Sequence, residues 1–470
     1  MSAEGLLCAI RDGRQLNFRE QFRLTVLLSF PAIIAQLSTI AMQYIDASMV
    51  GSLGANASAS IGLITTTTWL FWGVCSAAVT GFSVQVAHLI GASDFEKARD
   101  ILRQSITAMV LFSIGLSLLG VIIANPLPHW LGGDESICQS ATNYFLIFSL
   151  FLPVLQVSFL AGSMLRCSGN MKVPSILNVL MCIIDVILNF FLIFPSRNVS
   201  VLGISLYMPG AGLGVEGAAL GTVLAELIVA ILMIYYLCWK SDLLRIVGNP
   251  GSYRIKMPVL KNAVKIGLPM GLEHIAISGA QIALTIIVAP LGIIAIAANA
   301  FAIIAESLCY MPGYGIGEAS TTLAGQCRGA GRIHLMRRFG NITVISGMLI
   351  MGLMGLVLYV AAPQIIGIMS PVEDIRLLGV DILRIEAFAE PMFGASIVAY
   401  GFFVGIGRTI LPSTINIVCI WGIRITLAAV LAPIMGLKGV WLAMCIELCM
   451  RGLLFLILLW GVPSMYRFKN

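Results

Sequence analysis

The chain has 470 residues, of which 59% are hydrophobic and only 11% charged. A soluble domain carries about 45–50% apolar and about 25% charged residues, so this chain cannot cover itself with polar surface. Disorder is excluded by the same numbers. A disulfide scaffold is excluded by 11 cysteines spread over 470 residues, and thiols such as Cys182, Cys309 and Cys445 lie in apolar runs that suit packing.

A spanning helix needs about 20 mostly apolar residues, and twelve stretches qualify. In chain order they cover 24–50, 57–89, 100–125, 140–165, 172–194, 216–239, 258–290, 294–326, 338–362, 378–405, 410–433 and 438–462. The 23 residues ahead of the first stretch are charged and mixed, and that stretch outruns the 7–15-residue core of a signal peptide, so it reads as the first span. The loops between the spans are sharply polarised. Twenty-two of the 28 Lys and Arg fall on one side, from Arg11, Arg14, Arg19 and Arg23 through the loop of Lys240 to Lys265 to Arg467 and Lys469. The other side receives Arg197, Arg376 and Lys438, and Arg384, Arg424 and Arg451 lie within spans. The positive-inside rule places both termini in the cytoplasm of a multi-pass plasma-membrane protein. The basic loops then need no nucleic-acid partner.

The chain is also written twice. With an offset of 238, the first five spans overlay the seventh to eleventh without a gap: Pro31 on Pro269, Gly54 on Gly292, Gly91-Ala92 on Gly329-Ala330, Gly169 on Gly407, Pro174 on Pro412 and Asn178 on Asn416. The register slips only before the sixth span, because residues 195–212 lengthen that loop in the first copy. Six spans per copy is an even number, so both copies enter the membrane the same way and should be related by a pseudo-twofold axis along its normal. The expectation is an all-α integral membrane protein of two six-helix lobes, residues 1–239 and 266–470, joined by a cytoplasmic linker over 240–265. Two such lobes around a central cleft can rock against each other.

Each copy has a proline in its first span, Pro31 or Pro269, and a Gly-Ala closing its second. Each also has Gly-x4-Pro between its fourth and fifth spans, and Asp46 precedes Val50-Gly51-Ser52-Leu53-Gly54. With these motifs the chain resembles the multidrug and toxic compound extrusion family of cation-coupled exporters over about residues 20–462. The resemblance implies alternating access, and its DinF-like branch implies a proton or sodium site on acids of the first and fifth spans. Asp46 and Asp185 match those positions, and Thr222 matches a sixth-span Gly-Ala-Ala-x-x-Thr pattern. The branch often has Asn four residues before the fifth-span acid, where this chain has Met181. Losing that amide oxygen favours protons over sodium, which needs several oxygen ligands.

Intramembrane charge is the independent signal, since an ionisable group at a helix centre costs about 2.5–3.5 kcal/mol on insertion scales. Nine carboxylates lie four or more residues inside the span limits: Asp46, Asp185, Glu226, Glu273, Glu306, Glu318, Glu386, Glu390 and Glu447. Glu447 and Arg451 are four apart and suit a structural pair, and Arg384 beside Glu386 suits an interfacial role. Asp46 and Asp185 have no basic partner three or four residues away, and their mates in the second copy are Leu284 and Ile423. The fold therefore does not need acids there, which points to function. Glu273, four residues after Pro269, either faces the cleft and attracts cations or binds backbone freed by the proline. Glu306 and Glu318 either line the cleft or satisfy backbone near Pro312, while Pro31 and Pro269 are candidate kinks.

The expected function is export of organic cations or other amphiphiles in exchange for protons (or sodium). The alternative is a flippase for a lipid-linked precursor. An intramembrane enzyme would need Gly-x-Ser-x-Gly or His-Glu-x-x-His, and ATP-driven transport a Gly-x4-Gly-Lys-Ser/Thr loop; the sequence has none of these. No cofactor is expected beyond the coupling ion, and the expected partners are a small amphiphilic substrate and the bilayer, around a monomer.

Overall fold

The computed structural model describes residues 2–201 and 204–461. Arg467 and Lys469, which the sequence assigns to the basic face, lie outside the described residues. Ten helices are long and apolar enough to span a membrane, and two bent helix pairs bring the number of spans to twelve. Most outrun their sequence-based limits: the first span is Phe18–Gly51, the second Ala55–Gly91, the eighth Ile293–Gly329 and the ninth Ile333–Met369. The seventh span begins at Met257, so Lys261 and Lys265 are helical and the non-helical connection narrows to 241–256. Pro195–Val201 and Ile204–Ala211 pair as an antiparallel hairpin in the lengthened loop of the first copy. Across that insert, Arg197 places its guanidinium 3.9 Å from the Phe194 ring centre, a cation–π contact.

The repeat is visible in the backbone. The fourth span breaks between Glu135–Leu150 and Leu152–Cys167 with a bend of 49°, and the tenth between Glu373–Ala387 and Glu390–Gly405 with a bend of 56°. Pro153 and Pro391, 238 apart, open the second segment of each pair. Proline fixes its own φ and disfavours a helical residue before it, so it starts a new helix more easily than it continues one. The helices run unbroken through Pro31 and Pro269. Gly54 and Gly292 share the positive φ values of +118° and +98°, a conformation that a side chain would strain.

Spans one and two of the first lobe pack against spans seven and eight of the second. Most of the bonds across this seam lie at the end of the bundle that carries the basic loops. There His88 Nε2 donates to the Gly405 carbonyl at 2.8 Å, and Gln326 Nε2 donates to the Cys167 carbonyl at 2.9 Å. Donors and acceptors are both 238 apart, so one bond is the pseudo-twofold image of the other. Cys167 and Gly405 close the fourth and tenth spans, where carbonyls have no intrahelical partner. Each lobe therefore caps a helix of the other. Gly91 and Gly329 make the approach close enough, since a Cβ on either would overlap the carbonyl of Gln326 or His88. Thr322 adds a bond to the Arg166 carbonyl at 3.1 Å, and Arg166 stands 3.7 Å from Glu318. At the opposite end the second and eighth spans begin in exposed residues such as Ala55 and Ile293, and the outermost inter-lobe hydrogen bonds run from Tyr44 to Ile304 and Ser307. The lobes are closed at the basic end and splayed at the other.

A short helix, Ala3–Arg11, precedes the first span and lies across the closed end. Asn17 then starts the first span through a capping box with Glu20.

Overpacking a tight contact costs about 1–3 kcal/mol. Gly91→Val and Gly329→Val should each lower the Tm of the purified protein by several degrees. Gly115→Val, on a helix face with nothing within 4 Å, should leave it unchanged. Equal Tm values for all three would contradict the close seam.

Candidate functional site

The first, fifth (Lys172–Ile193) and sixth (Gly214–Tyr235) spans pack side by side, and this brings Asp46 and Asp185 together as the sequence predicts. Asn189 links them: its Nδ2 donates to Asp46 Oδ1 at 2.8 Å and to Asp185 Oδ2 at 3.1 Å. Asp185 and Asn189 are both fully buried, and the two carboxylates are within hydrogen-bonding reach of each other. Neither acid takes part in an ion pair among the described residues. Thr222 also lies within reach of Asp185, although its hydroxyl proton goes to the Ala218 carbonyl at 3.1 Å. Glu226, one turn along the sixth span, is half-buried nearby.

Asn189 is the residue that the sequence reasoning missed. The amide absent at Met181 is supplied from one turn on the other side of Asp185, at i+4 on the same face. Its orientation carries chemistry. The amide turns its NH2 toward the acids and its Oδ1 toward Gly221, where a Cβ would overlap it. A donor aimed at two carboxylates stabilises negative charge or a shared proton, and offers nothing to a metal cation.

The second lobe has its own polar core. Glu273 is buried and bound on both oxygens, accepting from Tyr400 at 2.6 Å and from Asn416 Nδ2 at 2.6 Å. In this structure its partners are side chains of the tenth and eleventh spans and not backbone freed at Pro269. Glu447 accepts from Arg424 at 2.6 and 3.0 Å and pairs with Arg451 at 3.1 Å. The expected Glu447–Arg451 pair is present, with Arg424 as a third member held on a π-helical stretch, Ile420–Ile425. Glu306 is buried in the field of the same two arginines. Glu386 and Glu390 flank the break in the tenth span, and all four of their carboxyl oxygens are buried with no hydrogen-bond partner among the described residues. Two bare carboxylates at such depth are too costly, so these groups hold protons or meet cationic groups that enter. Arg384 is directed outward, 5.2 Å over the Tyr359 ring. Glu318 belongs to the seam described above.

Twelve spans in two repeated lobes, with an acid pair in one lobe and a charged core in the other, define a membrane transporter and not an enzyme. The MatE family model matches twice, over residues 31–191 and 269–430, with starts separated by the repeat offset of 238. The chain belongs to the MatE family, the multidrug and toxic compound extrusion transporters. It is 24% identical to a probable multidrug resistance protein NorM of Thermotoga maritima, over 92% of this chain and 90% of that one. It is 26% identical to the Burkholderia pseudomallei protein of the same description, over 85% and 83%. Among solved structures, a MOP superfamily transporter from Pyrococcus furiosus superposes with a TM-score of 0.87 at 18% identity over the whole of both chains. An outward-facing multidrug resistance MATE transporter superposes at 0.86 and 18% identity, over 98% and 99%. At these identities the likeness establishes the fold.

Removing one partner of a buried ion cluster costs about 3–5 kcal/mol. Glu447→Gln, which leaves Arg424 and Arg451 without their carboxylate, should lower Tm strongly. Glu390→Gln should leave Tm unchanged or raise it, because no ion pair is lost. A larger loss at Glu390 than at Glu447 would contradict this assignment.

Proposed function

We propose that this chain is a secondary active exporter of organic cations or other amphiphilic compounds, driven by proton entry and working by alternating access. The carrying observation is the Asp46–Asn189–Asp185 arrangement, buried in one lobe of a bundle closed at its basic end. With that end cytoplasmic, as the positive-inside rule assigns it, the structure is outward-open. Both termini then face the cytoplasm of the plasma membrane, and Asp46, the less buried acid, lies in the outer half of the first span. Two adjacent carboxylates in a low-dielectric site disfavour a double charge, so the pair is built to hold a proton. An inward-moving proton gains about 2.3 kcal/mol per 100 mV if it crosses the full field.

Loss of the proton to the cytoplasm restores the mutual repulsion of Asp46 and Asp185, and the first span carries that change to the seam through Tyr44 and Gln36, which bond to the eighth span. Protons are favoured over sodium because Asn189 presents its donor side to the acids. Cationic or amphiphilic cargo is supported by the excess of five buried glutamates over two arginines in the polar core of the second lobe, and by the multidrug descriptions of the relatives. The same excess makes a poor host for the pyrophosphate of a lipid-linked precursor.

In proteoliposomes, Asp46→Asn and Asp185→Asn should each abolish proton-driven export while leaving the protein folded, and the double variant should be little worse than either single one. Wild-type transport by folded Asp46→Asn protein, or transport following a sodium gradient alone, would reject proton coupling at this pair. Orientation has its own check. Single cysteines placed at 92–99 and at 328–337 should label only from the cytoplasmic side, and external labelling of either loop would overturn the assignment.

A further inference from the structure

The helix Ala3–Arg11 lies outside the repeat, since the residues 238 further on, 241–249, are not helical. Its apolar face of Leu6, Leu7, Ala9 and Ile10 is buried, with Ile10 at 0% exposure. That face is shared between the lobes. On the side of the first lobe, Leu7 sits over Gly169 in the loop between spans four and five, Met171 joins the same apolar cluster, and the Arg11 guanidinium stands 5.5 Å from the Phe95 ring centre. On the side of the second lobe, the cluster continues into Leu323 and Cys327 of the eighth span and Met336 and Phe339 of the ninth. Arg332, at the start of the ninth span, donates to the carbonyls of Ala9, Ile10 and Arg14 at 3.4, 3.5 and 2.5 Å. A guanidinium at a helix C-terminus meets carbonyls without intrahelical partners and the negative end of the helix dipole.

We propose that Ala3–Arg11 is a strap that holds the cytoplasmic seam shut in the outward-open state and must come off one lobe whenever that face opens. The inference rests on the alternating-access reading. An opening at this end moves Phe95, Gly169 and Met171 away from Leu323, Cys327, Arg332 and Met336. A nine-residue helix is about 14 Å long, and one apolar face cannot stay buried against both groups as they part. Docking therefore favours the closed seam.

Native thiols can report the outcome. Cys167 and Cys327 are buried under the seam, at 7% and 0% exposure, whereas Cys182 and Cys309 are buried inside the two lobes. Site-resolved labelling with a bulky, polar maleimide would be followed in purified full-length protein. Relative to wild type, the Leu7→Asp/Ile10→Asp variant should label Cys167 and Cys327 about tenfold faster with Cys182 and Cys309 unchanged, as a shifted two-state equilibrium requires. Arg332→Gln, which removes the cap and leaves the apolar face intact, should give a smaller rise at the same two sites. Unchanged rates at Cys167 and Cys327 in folded variants would overturn the strap. So would an equal rise at all four cysteines, which would mark the helix as a general stabiliser of the fold. The readout needs no substrate or gradient, so it is independent of whether proton-coupled export is correct.

Discussion

The arrangement depends on how helix ends are satisfied inside a membrane. The last carbonyls of a helix have no partner within it, and a bilayer supplies no water to take their place. At Cys167 and Gly405 the partner comes from the other lobe, through Gln326 and His88. A bond that each lobe needs from the other is a strong reason for the lobes to meet at that face. The close approach allowed by Gly91 and Gly329 puts those bonds within reach. Parting the lobes requires these carbonyls to find water, which becomes available only when the face opens to the aqueous phase. The seam is thus stable when shut and solvated when open, and disfavoured in between.

The charged groups break the symmetry that the backbone keeps. Backbone features recur at an offset of 238: the broken fourth and tenth spans, the positive-φ Gly54 and Gly292, and the reciprocal caps. The acids do not recur. Asp46 and Asp185 face Leu284 and Ile423 in the second copy, and Glu386 and Glu390 face Phe148 and Leu152 in the first. One scaffold carries two different polar cores, of which the first holds two acids bridged by an amide and the second five acids with two arginines.

Most of the architecture was legible in the sequence because it is written in long, strong signals. Twelve apolar stretches and a gap-free repeat leave few alternatives, and the pairing of Asp46 with Asp185 rested on the family positions they match as well as on their unmatched charge. What was not legible depended on side-chain direction. Asn189 sits one turn from Asp185 on the same face, a spacing that the sequence contains but that competes with every other i+4 polar pair in the spans. Pro153 and Pro391 obey the repeat offset and mark the two breaks, whereas Pro31 and Pro269, more prominent as motifs, sit in unbroken helix. Glu273 could not be placed from its own span, because Tyr400 and Asn416 come from two others. The helix Ala3–Arg11 is too short to be stable on its own, and its burial is decided by residues more than 300 positions away.

That last separation has a consequence for biosynthesis. Residues 3–11 are the first of the described helices to be synthesised, and their docking surface on the eighth and ninth spans is made about 320 residues later. At a translation rate of about 5–20 residues per second, the helix spends on the order of 20–60 seconds without Arg332 to cap it. Through that interval only its first-lobe partners, around Gly169 and Met171, are available to cover its apolar face. Its docking is complete only when the second lobe reaches its place, so the first-made of the described helices is the one that closes over the bundle.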